Sequence, residues 1–319
     1  EGYPPFVESL SQYLSENYGF DLEMNGVLAT TGSTSCMDLL LKAFVNPGDA
    51  VLVESPTFLG NMQTLNLYQA KLIPVESDEG GVMLDKLEEA IKEHHPKLFY
   101  VIPSFQNPSG RTLAADRRKP IADLAAKYGF LVLEDDPYRD LRYTGEHLPT
   151  IKSYDTTGHV AYMGSFSKII SPGLRVGFVV AQKDILRKCT IGKQGTDLHT
   201  PNLNQAILDQ FLRRGLLKPH IESILPQYKE KMELMLKELD SFPEGTKYIV
   251  PEGGLFIWVE MPEGFNATEL FQKAVDANVA YVPGTHFYPY GGHHNTLRLN
   301  FSNSTPEQIK EGMGKLKKL

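Results

Sequence analysis

Short runs of apolar, often β-branched residues recur along the first part of the chain, at Ala50–Val53, Lys71–Val75, Leu98–Ile102, Phe130–Leu133, Val160–Met163 and Val176–Ala181. Stretches of helical character separate several of them. The runs are continuous and do not alternate with polar residues, so they predict strands buried on both faces, the property of a largely parallel sheet covered by helices. The pattern stops near residue 185. Beyond it the sequence predicts a loop over Gly192–Pro201, a charged helix over Tyr228–Leu239, a strand over Gly254–Val259, a helix over Ala267–Asn278 and a strand over Leu297–Phe301. This reads as a smaller α+β lobe. A chain of 319 residues also exceeds the roughly 250–300 at which one hydrophobic core stops growing, so two lobes are expected, over 1–215 and 216–319.

The predicted strands run directly into polar, Gly- or Pro-containing segments. These are Thr31-Gly32-Ser33-Thr34, Glu54-Ser55-Pro56-Thr57, Pro103-Ser104-Phe105-Gln106-Asn107-Pro108, Glu134-Asp135-Asp136-Pro137-Tyr138 and Ser165-Phe166-Ser167-Lys168. In an open α/β sheet ligands bind outside the carboxyl ends of the strands, so the five segments are expected to converge on one crevice.

Composition narrows the chemistry by exclusion. A net charge of −7 without a clustered basic face argues against nucleic-acid binding, and no apolar run approaches the roughly 20 residues of a membrane helix. The two cysteines, Cys36 and Cys189, suit neither a disulfide framework nor a zinc site, and they predict a reducing, cytoplasmic location. His94-His95 and His293-His294 lack further ligand spacing, and adjacent residues of a strand point to opposite faces, so no metal is expected. The first residues, Glu1-Gly2-Tyr3-Pro4-Pro5, lack an initiating methionine, so further residues are expected upstream.

The sharpest segment is Gly164-Ser165-Phe166-Ser167-Lys168, followed by Arg175 within Pro172-Gly173-Leu174-Arg175-Val176-Gly177-Phe178. Apolar Ile169-Ile170 beside Lys168 would desolvate its amine and lower its pKa toward the neutral form that adds to a carbonyl. Two serines and a guanidinium are the donors that hold a phosphate dianion. A lone lysine is usually a solvated loop residue; the pattern as a whole speaks against that. Residues 164–178 closely resemble the cofactor-lysine signature of fold-type I pyridoxal 5'-phosphate (PLP) aminotransferases, and the other four segments agree in the right order. The chain resembles the class I/II branch that includes kynurenine/2-aminoadipate aminotransferases and the effector domains of MocR-type regulators.

The resemblance implies a mostly parallel seven-stranded α/β sheet between helices, with a smaller α+β C-terminal domain. It makes Lys168 the Schiff-base lysine and assigns phosphate binding to Ser165, Ser167 and Arg175. Asp135 and Tyr138 form the family's Asp-x-x-Tyr pair. A carboxylate at the end of a buried strand needs a positive partner, which the protonated pyridine nitrogen of PLP supplies, and Tyr138 and Asn107 would donate to the ring oxygen. Gly32, Ser33 and Thr34 head a helix-like run at Ser35–Phe44, so their amides would face the phosphate; relatives more often carry Gln or Ala at Thr34. Phe58 matches the aromatic stacked on the ring, where Tyr is commoner. Arg298, a charge inside the apolar Leu297–Phe301, suits a substrate α-carboxylate, with Asn107 beside it.

The activity implied is transfer of an amino group from an L-amino acid to a 2-oxo acid by ping-pong kinetics, within amino-acid metabolism. Two alternatives keep the fold: the ligand-sensing domain of a MocR-type regulator, or a PLP-dependent β-lyase or decarboxylase. A homodimer is expected from the family, with an upstream arm over the substrate and a partner-subunit tyrosine on the phosphate.

Overall fold

The computed structural model describes residues 1–318. Its large lobe opens with helix α1 (Pro4–Tyr18), strand β1 (Asn25–Thr30) and helix α2 (Ser33–Phe44). There follow β2 (Ala50–Ser55), α3 (Leu59–Leu67), β3 (Lys71–Asp78), the two-residue β4 (Gly81–Val82), α4 (Leu84–His94), β5 (Leu98–Val101), α5 (Ala115–Tyr128), β6 (Leu131–Asp135), β7 (Val160–Ser165) and β8 (Gly177–Gln182). The strands form one sheet in the order β1-β8-β7-β6-β5-β2-β3-β4. From β7 through β3 all neighbours are parallel, while β8 runs antiparallel to both β7 and β1. Seven strands therefore make up the body of the sheet, with β4 a short antiparallel edge on β3.

Continuous apolar runs place the central strands between two layers. In β5, Leu98 and Tyr100 enter one core while Phe99 and Val101 enter the other, the period-2 alternation of a strand covered on both faces. The first core includes Phe6, Leu10 and Leu14 of α1 and Met37, Leu40 and Leu41 of α2; the second includes Leu87 and Ile91 of α4 and Ile121 and Ala125 of α5. Strand β1 escaped the hydrophobic pattern because its Asn25-Gly26 start reads as a turn and only Val27-Leu28-Ala29 is apolar. The loop expected at Gly192–Pro201 is corrected in its first half. Helix α6 (Lys183–Thr196) continues through Gly192, which faces Leu39 and Lys42 of α2 where the two helices pack.

After α7 (Asn202–Arg213) comes the long α8 (Leu217–Leu239), whose Leu217 and Ile221 belong to the large-lobe core and whose Met232, Met235 and Leu239 belong to a separate one. That separate core also holds residues of β10 (Phe256–Glu260), α9 (Ala267–Asp276), β12 (Thr296–Asn300) and α10 (Pro306–Leu316). With β9 (Lys247–Tyr248) and β11 (Val282–Pro283), the strands make an antiparallel sheet in the order β11-β12-β10-β9. Most expected strand and helix ends shift by one or two residues, as at β10 and β12. His293 and His294 precede β12 in a turn and are not strand residues, which corrects the opposite-faces expectation. Backbone bonds from Tyr143 N to Glu252 O (2.8 Å) and from Gly254 N to Leu141 O (2.9 Å) stitch the lobes together beside the site. Among the described residues no helix is long and apolar enough to cross a membrane.

Candidate active site

Strand register brings the segment ends to one edge of the sheet. Thr30 at the end of β1 and Ser165 at the end of β7 both pair with Gly177, and Asp135 at the end of β6 pairs with Met163. Gly177 permits the close approach: a Cβ there would lie 2.7 Å from the carbonyl carbon of Gly32 and 2.9 Å from the nitrogen of Ser33. Gly32 turns the chain into α2 at φ +84°, a conformation that favours glycine. The amides of Ser33 and Thr34 then stand in the first turn, where no intrahelical carbonyl reaches them. Arg175, exposed and at φ +51°, donates from Nη2 to Thr31 O (3.5 Å) and from Nη1 to Pro172 O (3.3 Å). A Cβ on Gly32 would sit 2.5 Å from that Nη2, so the guanidinium rests in the space the glycine leaves. Ser165 Oγ accepts from the Ser167 amide at 3.1 Å. Gly32, Ser33, Thr34, Ser165, Ser167 and Arg175 thus share one edge.

Lys168 follows β7 directly and is partly buried. Burial depresses its pKa, and the positive charges of Arg298 and Arg175 depress it further. One amine is therefore within the field of a guanidinium from each lobe, and both favour its neutral form.

Asp135 sits almost completely buried on the adjoining strand. Its Oδ2 accepts from the Tyr100 hydroxyl (2.8 Å) and from Asn61 Nδ2 (3.3 Å), whereas Oδ1 is buried with no partner. Burial pushes the carboxyl up to about 7; the Tyr100 hydrogen bond opposes this, and the neighbouring Asp136 adds to it. Asp136 lies in the field of Arg139 and Arg118. The two consecutive acids thus have different surroundings, and Asp135 is the one joined to Tyr100 and Asn61.

The substrate side draws on both lobes. Arg298 Nη1 donates to Asn107 Oδ1 at 2.7 Å, and Asn107 Nδ2 approaches the Tyr138 hydroxyl at 3.5 Å. The guanidinium carbon lies 4.2 Å from the ring centre of Phe256 and 5.0 Å from that of Phe287, while Nε is buried without a partner. Burial lowers the pKa of Arg298 from a very high value. A fork held against two aromatic faces, with N–H groups to spare, suits a carboxylate. Phe58 caps α3, its ring in the space beside Gly60, where a Cβ would meet it at 2.7 Å. One turn further along α3 is Asn61, which reaches Asp135.

Asn61 and Tyr100 were not singled out by the sequence. Tyr100 had a signal: a hydroxyl in the apolar run Leu98–Ile102 needs a buried partner. Its register partner Leu133 lies two residues before Asp135, so Tyr100 and Asp135 fall on the same sheet face. Asn61, in a helix, gave none.

These residues fit PLP. The unpartnered Asp135 Oδ1 is an acceptor for a protonated ring nitrogen, Lys168 is an amine biased toward neutrality, and the Gly32 turn with Arg175 supplies donors for a phosphate. The family model "Aminotransferase class I and II" matches residues 1–316. The chain is similar to the aromatic-amino-acid aminotransferase 1 of Thermococcus litoralis, with 39% identity across 99% of this chain and 77% of that protein. It is 41% identical to the 2-aminoadipate transaminase of Thermus thermophilus, over 99% of this chain and 79% of the relative. The crystal structure of the α-aminoadipate aminotransferase from Thermus thermophilus, complexed with N-(5'-phosphopyridoxyl)-L-leucine, superposes with a TM-score of 0.92 at 40% identity, covering 100% of this chain and 81% of that one.

Proposed function

The chain belongs to the class I and II aminotransferases, and from that premise we propose the roles of its own residues in moving an amino group from an amino acid to a 2-oxo acid with PLP as cofactor. The observation that carries the assignment is the partly buried Lys168, whose amine is held toward neutrality by burial and by Arg298 and Arg175. Lys168 is the covalent anchor of the cofactor. The first-turn amides of Ser33 and Thr34, the hydroxyls of Ser165 and Ser167, and Arg175 hold its phosphate around Gly32. Asp135 Oδ1 takes the ring nitrogen, Tyr138 and Asn107 donate to the ring oxygen, and Phe58 lies against the ring.

When bound, PLP supplies an electron sink for the pair released as the substrate Cα–H bond breaks. The protein supplies placement and proton handling. Arg298 binds the α-carboxylate and fixes which substituent faces Lys168; Nζ of Lys168, freed when the substrate amine takes its place on the cofactor, would take the proton from Cα and deliver it to the cofactor side. Asp135, once opposite a positive nitrogen, stays ionised and holds that charge in place. The same side chains serve both half-reactions, which makes the kinetics ping-pong.

The amino donors are drawn from the aromatic and 2-aminoadipate classes named for the relatives. Those relatives are named enzymes, which makes a regulator's sensing domain the weaker reading; a lyase or decarboxylase would leave the Arg298 fork without its exchange of two carboxylate substrates. We take the lobes as 1–215 and 216–319, with the first turns of α8 through Ile221 still packed on the large-lobe core, and place the protein in the cytoplasm, in keeping with the free thiols of Cys36 and Cys189. A homodimer is supported by the exposed apolar Leu198, Leu203 and Ile207 near the start of α7. The deciding experiment mixes the PLP-loaded protein with a panel of amino acids and follows the cofactor spectrum and the 2-oxo acid formed. Release of carbon dioxide or of a β-substituent in place of an oxo acid would overturn transamination.

A further inference from the structure

A second polar cluster lies behind the phosphate-binding turn. Asp197, just past α6, accepts from the Thr31 hydroxyl at 2.7 Å and receives Lys193 Nζ on both carboxylate oxygens at 2.8 Å. Lys193 Nζ also donates to Thr200 Oγ1 at 3.1 Å, and the Thr31 and Thr200 hydroxyls are 3.2 Å apart. Lys193 and Thr200 are 3% and 1% exposed. Burial would raise the pKa of Asp197, but the hydrogen bonds from Lys193 and Thr31 outweigh it and hold the carboxyl below its usual range.

Burying such a pair stabilises a fold little more than apolar packing would, whereas a satisfied network does fix geometry. What it fixes here is Thr31, the residue before Gly32. The Thr31 carbonyl receives Arg175 Nη2, and the amides of Ser33 and Thr34 follow at once. The loop that carries the cluster holds the exposed Leu198 at φ +61°. That left-handed turn lets Asp197 and Thr200 both reach Lys193 and Thr31.

We propose that Asp197, clamped by Lys193, is a positioning residue for the phosphate-binding turn, acting through the Thr31 hydroxyl to set the carbonyl that seats Arg175 and the amides that meet the phosphate. The inference rests on the reading of Gly32–Thr34 and Arg175 as the phosphate cradle. Its consequence is selective. Loss of the clamp weakens cofactors that carry the phosphate and spares those that lack it.

The test uses the full chain, stripped of cofactor and titrated with PLP and, separately, with pyridoxal, following the absorbance of the Lys168 adduct. Asp197→Asn and Thr31→Val are expected to raise the Kd for PLP roughly five- to tenfold, the worth of one or two hydrogen bonds, with pyridoxal changed less than about twofold. Thr31→Ser, which keeps the hydroxyl, restores PLP binding. Equal weakening of PLP and pyridoxal, or variants that bind PLP as the unaltered protein does, overturns the clamp. If Asp197→Asn does not fold, the Thr31→Val and Thr31→Ser pair decides alone. Failure of the unaltered protein to take up PLP would instead overturn the cradle itself, and the clamp with it.

Discussion

Arg298 of the small lobe donates to Asn107 of the large lobe at 2.7 Å, so the two substrate-facing side chains are joined across the lobe boundary. Asn107 occupies one nitrogen of the fork, and Nε lacks a partner. An incoming carboxylate therefore meets a guanidinium already oriented by Asn107 and by the rings of Phe256 and Phe287. Arg298→Gln removes a charged hydrogen-bond pair worth about 3 kcal/mol and lowers kcat/KM for amino acids roughly a hundredfold. The cofactor stays bound. Single-turnover kinetics over a range of substrate concentrations checks both, and unaltered kcat/KM would free Arg298 from carboxylate binding.

Asp135 gives a prediction with a sign. Its carboxyl is raised by burial from 3.8 to about 7 in the cofactor-free protein, so between those values the folded chain holds a proton that the unfolded chain has lost. Stability from this group is fully present below about 4 and is lost as pH rises through about 7. Thermal melts of the apoprotein should show Asp135→Asn gaining on the unsubstituted chain over that interval and levelling off above it. Saturating PLP reverses the order, because the ring nitrogen then meets an amide in place of a carboxylate. Parallel pH profiles of the two apoproteins would sink the assignment of this titration to Asp135.

The large-lobe strands were readable because burial on both faces leaves continuous apolar runs, and the polar segments after them marked the site edge. Ser165, Lys168 and Arg175 were readable as a cluster because the end of β7 and the connection from it to β8 carry all three. Asn61, Lys193 and Asp197 were not. Their meaning arises only when register or helix packing carries them to residues distant in sequence, 166 positions in the case of Thr31 and Asp197. Glycines misled at α6, where Gly192 lies within the helix against α2 and does not end it.

Gly32→Ala tests the cradle sterically. The new methyl would fall 2.5 Å from Arg175 Nη2 at a backbone φ of +84°, so the guanidinium must move and the backbone is strained by about 1–2 kcal/mol. With the guanidinium displaced from the cradle, the Kd for PLP should rise roughly five- to thirtyfold, the equivalent of about 1–2 kcal/mol. Equilibrium dialysis against PLP gives the number, and binding as tight as that of the unsubstituted chain would place the phosphate elsewhere.

The exposed apolar side chains of Leu203 and Ile207, one turn apart on α7, together with Leu198 just before it, predict self-association. Sedimentation equilibrium should return a dimer, and Leu203→Glu together with Ile207→Glu should shift it toward monomer, since a buried carboxylate at an interface costs several kcal/mol. A sedimentation profile that ignores both substitutions would move the interface off this face.

Lys168 ties the site's electrostatics to its chemistry. Burial lowers its pKa first, and Arg298 and Arg175 lower it further, so its amine is neutral over a pH range in which a surface lysine is charged. Only the neutral amine attacks a carbonyl or an acylating reagent. In the apoprotein, the rate at which Lys168 is acylated, followed by mass spectrometry of its peptide, should rise with pH along a curve lying at lower pH than that of a solvated lysine in a short model peptide. Removing one of the two positive charges lets the ammonium form persist, so Arg298→Gln moves the curve to higher pH, while Arg298→Lys, which keeps the charge, leaves it in place. Lys168→Ala removes the reactive peptide together with cofactor anchoring and transamination, and its circular dichroism should match that of the unsubstituted protein. If the Gln and Lys variants titrate alike, Arg298 does not act on the amine, and the neutral state of Lys168 must come from burial and Arg175 alone.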